Sequence, residues 1–415
     1  MIPPLRINIY RFVILILVTT LLVNQLSLVA VTRSMSSQFL DSSSKQTSNG
    51  DFYVESHKTR SGVSSVSMSR DGKYVAVSGD SYVSLLYGNT ELWTFRINDI
   101  VNSVSISGNG RYVAAGTEGS RIYILDSRDG KVIWEFRTEG PVLSIMISSD
   151  GRYVVAGIFE GVVYLLERDG GRLLWSCRAG NITAILSVAI SDDGNRIVAA
   201  SSNNKVILLS SESSVPMWTY ETEDYVRSVA ISSDGRYIVA GTNDFYVDFF
   251  VADERGPLWS YRTEGPVRSV SISSTGSEVA CGSYDGHIYC FDRSTSMPKW
   301  TYDTSEMVLS VSLSNDGRFV LGGGASMKAY VLNVPDGSLE YSYDSSFLIN
   351  STSMSADGSS MVIGGDTSTR VFRRIGWQNE SSVKWINQVL IGVAASVLFA
   401  TVIIVFLARR KFRRS

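Results

Sequence analysis

Residues 132–142 read VIWEFRTEGPV and residues 257–267 read PLWSYRTEGPV, and the two stretches belong to a longer series. Trp93, Trp134, Trp175, Trp218, Trp259 and Trp300 follow one another at steps of 41, 41, 43, 41 and 41 residues, and one more step of 41 lands on Tyr341. A second column runs in phase with the first: Asp71-Gly72, Asn109-Gly110, Asp150-Gly151, Asp193-Gly194, Asp234-Gly235, Thr275-Gly276, Asp316-Gly317 and Asp357-Gly358. Two parallel columns at one period mean that a single supersecondary unit of roughly 40–45 residues is repeated along the chain.

Each unit has the same inner grammar. In residues 103–137, Ser103 to Ser107 alternates small polar and apolar side chains, as a half-buried strand does. Asn109-Gly110 then reads as a two-residue turn, Tyr112 to Gly116 as a second strand, Ile122 to Asp126 as a third, and Val132 to Arg137 as a fourth. Turn pairs recur too densely for helices. Four strands, a to d, make one blade, so the expected fold is all-β: an eight-bladed β-propeller of four-stranded blades. The last copy supplies only three strands, Ser351–Ser355, Ser360–Gly364 and Arg370–Arg374. A spare strand, Phe52 to Ser56, precedes the first copy. The N-terminal strand is therefore expected to complete the last blade and close the ring, with either Phe52 or Tyr53 at the Trp position. A seven-bladed ring with a frayed end is the alternative.

Repeats such as ISSDGRYIVAGTNDFYVDFFVADERGPLWSYRTEGPV (231–267) resemble the WD-repeat-like and quinoprotein-like (PQQ-like) propeller superfamily. The spacing Asp126-x3-Gly130-x3-Trp134 is similar to the tryptophan-docking motif of quinoprotein propellers, which implies that each Trp packs against the neighbouring blade. Asp292 and Trp300 keep the outer spacing, Asn333, Gly337 and Tyr341 keep it with an aromatic swap, and Trp93 and Trp218 sit in departed versions. The resemblance covers about residues 51–374. It speaks to fold more than to function, because propellers host unrelated activities. It also raises a dehydrogenase using pyrroloquinoline quinone. Such enzymes carry two adjacent cysteines, whereas Cys177, Cys281 and Cys290 are all separated here. The expectation is a protein that is not an enzyme and has no cofactor.

The ends of the chain differ from the repeats. Val389 to Ala408 carries no charge and is followed by Arg409, Arg410, Lys411, Arg413 and Arg414. That run is long enough to span a bilayer and the basic cluster would stay cytoplasmic. Residues 385–408 are thus expected to form a transmembrane helix with Trp385 at the interface, and 409–415 a cytoplasmic tail. Residues 1–32 read as a signal peptide or an N-terminal anchor, and both readings stand. Residues 33–50 form a Ser-rich linker and 375–384 a shorter one, so the 51–374 propeller is expected outside the cell membrane. On that side Asn181, Asn350 and Asn379 lie in glycosylation sequons.

A net charge of −2 gives no electrostatic case for nucleic acid. His57 and His287 lie on different repeats without a zinc-ligand pattern. The Asp/Gly column is what tight turns demand rather than a metal site. The expected role is an interaction scaffold for a protein, a glycan or a small ligand. The alternative is a sensor or assembly subunit engaged through its helix and tail. The working face is expected to carry the d–a and b–c loops, where Glu139, Glu223, Asp224, Glu264 and Glu306 form an acidic arc with Arg137 and Arg262 close by. If Asp285-Gly286 is a two-residue turn, Cys281 opposes Cys290 within disulfide range; two reduced core cysteines are the other reading.

Overall fold

The computed structural model describes residues 52–374, apart from residues 60, 89, 181, 182 and 367. The sequence readings for the two hydrophobic ends, the linkers, Asn181 and Asn379 lie outside the described residues. Among the described residues no helix is long and apolar enough to cross a membrane.

The chain folds into eight four-stranded antiparallel sheets. Blade 2 is representative: strand a is Val101–Ile106, b is Tyr112–Thr117, c is Arg121–Asp126 and d is Val132–Arg137. Strand a of each blade packs against strand a of the next, so the a strands are innermost and the d strands outermost. Blade 8 is built from a (Ile349–Met354), b (Ser360–Gly365) and c (Ser368–Arg374), with the N-terminal strand Phe52–Lys58 as its d strand. Phe52 pairs with Arg374, so the described chain enters and leaves at one point on the c–d side of the ring.

Middle strands are apolar on both faces because each blade is covered by a neighbour on either side. Val113, Ala114, Ala115, Ile122, Ile124 and Leu125 are fully buried. The Trp side chains join blades from the outside. Trp93, Trp134, Trp175, Trp218, Trp259 and Trp300 donate Nε1–H to the carbonyls of Ser127, Arg168, Ser211, Ala252, Arg293 and Val334, each in the c–d turn of the following blade. The ring of Trp93 lies on Gly130, where a Cβ would meet it at 2.7 Å. The same contact places Gly171 against Trp134 and Gly337 against Trp300, which explains the glycine four residues ahead of Trp134, Trp175 and Tyr341. Tyr341 stacks on Phe52 at 4.7 Å, using the closing strand as its dock.

The Asp/Gly turns are longer than two residues. Ser107 N–H bonds the Tyr112 carbonyl, so the loop holds residues 108–111, with Gly110 at a φ of 70°. Ser107 Oγ donates to Asn109 Oδ1 at 2.8 Å and accepts from Tyr112 N–H at 3.1 Å. Ser148 with Asp150, Ser232 with Asp234 and Ser314 with Asp316 repeat the arrangement. The column is a turn staple.

A further column holds the ring from inside. The inner edge of strand a would expose backbone N–H groups, and serines of the preceding blade cover them. Ser103 accepts from Ile145 N–H, Ser144 from Val188, Ser187 from Val229, Ser228 from Val270, Ser269 from Val311 and Ser310 from Thr352, at 3.0–3.3 Å. Ser351 accepts from Val66, which joins blade 8 to blade 1, and Ser67 accepts from Ile106 at the next seam. Replacing Ser228 with alanine leaves the Val270 N–H without its partner. This should cost about 1–2 kcal/mol, read as a lower urea midpoint with an unchanged slope.

The register corrects two sequence readings. The turn between strands b and c of blade 6 holds one more residue than a two-residue hairpin, so Cys281 stands opposite Tyr289, and Cys290 opposite Ala280. A one-residue change of register sends side chains to opposite faces. The cysteines therefore point into different hydrophobic clusters, and Cys281, Cys290 and Cys177 are all free thiols. Burial pushes the Cys281 and Cys290 thiols up, Cys290 to about 12, which keeps them unreactive. In blade 8 neither Phe52 nor Tyr53 holds the Trp position. Glu55 pairs with Val371 as Trp134 pairs with Ile124, so Glu55 stands there.

Candidate functional face

The repeated Thr-Glu-Gly-Pro stretch is a d–a loop, and its threonine does the structural work. Thr263 is buried and its Oγ1 donates to the carbonyls of Gly265 and Phe245, both at 2.7 Å. Thr304 does the same toward Glu306 and Gly286, and Thr138 toward Gly140. Each threonine ties its loop to itself or to the adjacent b–c turn and leaves the following residue outward. Glu139, Glu223 and Glu264 each follow a threonine directly and are exposed, as are Glu306, two residues after Thr304, and Arg137 and Arg262. Asp224 is half-buried and accepts from Asn243 Nδ2 and from Tyr225 N–H. Glu139 pairs with Arg178 at 2.6 Å, across to the next blade. The acidic residues therefore lie on one face with basic residues between them.

Strand a adds a set that periodicity alone did not single out. Its first pairing is interrupted in every blade by a bulge, as between Val142 and Ser144. The bulged residues are Ser64, Asn102, Leu143, Leu186, Arg227, Arg268, Leu309 and Asn350, none of them buried. A bulge re-aims a side chain without altering the rest of the ladder. These residues stand at the d–a end of the innermost strands and surround the channel mouth. Flanking positions repeat from blade to blade while this one varies, and that variation was the available signal. The mouth is patterned: Leu143 and Leu186 are neighbours on blades 3 and 4, Arg227 and Arg268 on blades 5 and 6, and Leu309 follows on blade 7.

Arg227 is held in place. It donates to Asn243 Oδ1 and to Tyr225 Oη, and its guanidinium lies 4.8 Å from the Tyr225 ring centre and 5.3 Å from that of Tyr284. Arg262 lies over Phe245 at 5.2 Å. Met307 and Phe159 are exposed on loops of the same face, Phe159 at 60%. Tyrosine, arginine and exposed apolar groups around a concave mouth are the residue types that dominate protein–protein hot spots.

The opposite mouth is different. Its a–b loops bond to one another through the backbone, Ser233 N–H to the Ser274 carbonyl, Ser274 to Asn315 and Ala356 to Arg70. The Arg70 side chain of blade 1 pairs with Asp192 of blade 4. That face is laced together, whereas the d–a mouth presents side chains. Asn350, in a glycosylation sequon, is exposed at the d–a mouth. His57 and His287 are on blades 8 and 6 and do not meet. Among the described residues no group of three or more His, Cys, Asp or Glu could hold a metal ion.

Comparison with known proteins agrees with the architecture. Residues 79–241 and 159–280 match a family profile described as outer membrane protein assembly factor BamB, and residues 51–85 match one described as WD domain, G-beta repeat. No curated protein matches in sequence. Among solved structures, Sqt1 of Chaetomium thermophilum, bound to the N-terminus of the ribosomal protein L10, superposes with a TM-score of 0.66 at 16% identity, covering 76% of this chain and 97% of that one. At that identity the likeness is one of fold.

Proposed function

We propose that this chain, a β-propeller of the WD-repeat and PQQ-like kind, is a non-catalytic protein-interaction scaffold whose d–a and b–c loop face receives a segment of a partner protein. The observation that carries the reading is the patterned channel mouth. A partner with an apolar tip and a carboxylate would meet Leu143 and Leu186 on blades 3 and 4 and Arg227 and Arg268 on the next two, while its basic residues meet Glu139, Glu264 and Glu306. That Sqt1, a similar propeller, is seen with the N-terminus of another protein supports the general role.

In this reading the ring is held at a cell membrane by residues 385–408, and by 1–32 where these are retained, with the propeller outside and Arg409 to Arg414 inside. Entry and exit of the described chain side by side, at Phe52 and Arg374, support it: both linkers would start from the c–d side, and the d–a face would look away from the bilayer. A partner bound through the helix and tail alone is the competing role.

Changing Glu139, Glu264 and Glu306 together to Gln should leave the fold intact, since all three are exposed, and weaken capture of a bound partner by about tenfold at low salt and less at physiological salt. Arg268→Glu should act in the same direction. Capture untouched by both, measured with the full-length chain, would exclude this face.

A further inference from the structure

The seam between blade 8 and blade 1 is built differently from the others. At four other seams an aromatic residue on strand d meets one on strand c of the next blade: Phe95 with Tyr123, Phe136 with Tyr164, Tyr261 with Tyr289 and Tyr302 with Tyr330, ring centres 5.5–5.9 Å apart. In the closing strand the equivalent residue is His57, which pairs with Thr369 as Phe136 pairs with Ile122. Its counterpart on blade 1 is Ser84, which pairs with Val77 as Tyr123 pairs with Ala115. Glu55 replaces the Trp, and the glycine of the blade 1 c–d turn, Gly88, has open space where a Cβ would sit. Two aromatic pairings are missing at one seam, and a cleft of about 50 Å³ takes their place.

The cleft is polar and two of its polar groups are unmatched. His57 Nε2 and Thr369 Oγ1 line it, are buried and have no hydrogen-bond partner among the described residues, and Tyr82 Oη lies beside them with the Thr59 hydroxyl as its neighbour. Thr369 is 0% exposed and Tyr82 6%, so water outside the ring does not serve them. Buried polar groups are nearly always satisfied, and two orphans around one cavity indicate a guest. Its volume exceeds the roughly 30 Å³ share of a single water.

The lining also selects the chemistry. Glu91 contributes a carboxylate, with Oε1 accepting from Thr94 Oγ1 at 2.6 Å, and Thr94 in turn shares a hydrogen bond with Ser84. Among the described residues lining the cleft no lysine or arginine is present. Arg370 is engaged by Tyr343 Oη and the Phe347 ring, and Arg373 by the Gly72 carbonyl and Ser360. Burial, followed by Arg370 and Arg373, lowers the His57 pKa against the pull of Glu91, so the imidazole offers a lone pair. Acceptors and one carboxylate line the space, with Val77 and Leu86 as apolar walls and the Arg370 and Arg373 charges behind the His57 side.

We propose that the cleft between the closing strand and blade 1 binds a primary ammonium group on a short apolar stem, its N–H donors satisfied by Glu91, His57 and the hydroxyls of Tyr82 and Thr369. Three non-hydrogen atoms limit a probe such as ethylammonium to about 1 mM affinity at the tightest.

The test uses the full-length chain and follows the His57 ring signals by NMR, with His287 as internal control, while ethylammonium or its neutral counterpart ethanol is added. Ethylammonium should shift the His57 signals saturably and leave His287 in place, and ethanol should not. Ser84→Tyr fills the cleft and restores the aromatic pattern, so it should abolish the shift and raise the melting temperature. Glu91→Gln, at an exposed position, should keep the fold and weaken binding at least tenfold. A lysine tripeptide carries the same head on a longer stem: tighter binding than ethylammonium would assign the guest to a protein side chain, weaker binding to a free amine, and both support the site. No shift with either amine, equal response to ethanol, or full affinity in Glu91→Gln overturns the proposal.

Discussion

Truncating Trp218 to alanine is expected to cost about 3–5 kcal/mol, the range for removing a large buried aromatic. Trp218 is 7% exposed, donates Nε1–H to the Ala252 carbonyl at 2.7 Å and stacks on Phe250 at 5.4 Å. Its loss opens a cavity and leaves a carbonyl of the next blade unpaired. Each blade packs its sheet against its two neighbours, so damage at one seam weakens the whole ring. Phe159→Ala removes a comparable ring from an exposed loop and should change stability by less than about 0.5 kcal/mol. Equilibrium unfolding in urea checks both, and equal midpoints for the two variants would mean that the Trp contacts do not hold the seams.

A second large effect should depend on pH. Asp248, on strand c of blade 5, occupies the position held by Tyr123 and Tyr164 in blades 2 and 3, and is 4% exposed. Burial pushes its carboxyl up from 3.8 to about 6, against the hydrogen bond donated by Ser260 Oγ, with Asp244 adding to the rise. A raised carboxyl favours the folded state while it is protonated. That contribution is complete below the unfolded value near 3.8 and is lost as pH rises through about 6. Asp248→Asn keeps the acceptor for Ser260 and carries no charge. The variant should therefore be more stable than the parent at pH 7–8, by up to about 3 kcal/mol, with the difference closing near pH 4. Thermal or urea unfolding across that range reads it directly. A constant difference at all pH values would show that Asp248 does not titrate with folding.

The fold was legible because a propeller writes its periodicity into the sequence. Blades sit in like surroundings, so each needs a glycine at the a–b turn and the first seven carry a large aromatic at one position of strand d, and the columns fall at one spacing. The exposed d–a loops were legible for the same reason, since a threonine recurs and ties the loop so that the residues just after it are left outward. The channel-mouth set was not, because Leu143, Leu186, Arg227 and Arg268 share a backbone bulge and no side-chain type.

What the sequence by itself determined is everything that repeats: eight units, four strands each, and a borrowed N-terminal strand to complete the last. Tertiary structure decided what depends on a single register or a single seam. One extra turn residue separated Cys281 from Cys290, because strand side chains alternate faces and a shift of one position exchanges them. The pairing of the closing strand placed Glu55 where the other blades carry Trp or Tyr and His57 where all but blade 3 carry Phe or Tyr, and set His57 against Ser84 across the ring closure. Those residues are far apart in the chain and follow no period. Only closure of the ring brings them together, and so only the folded molecule shows that one seam is polar and open while the others are aromatic or packed.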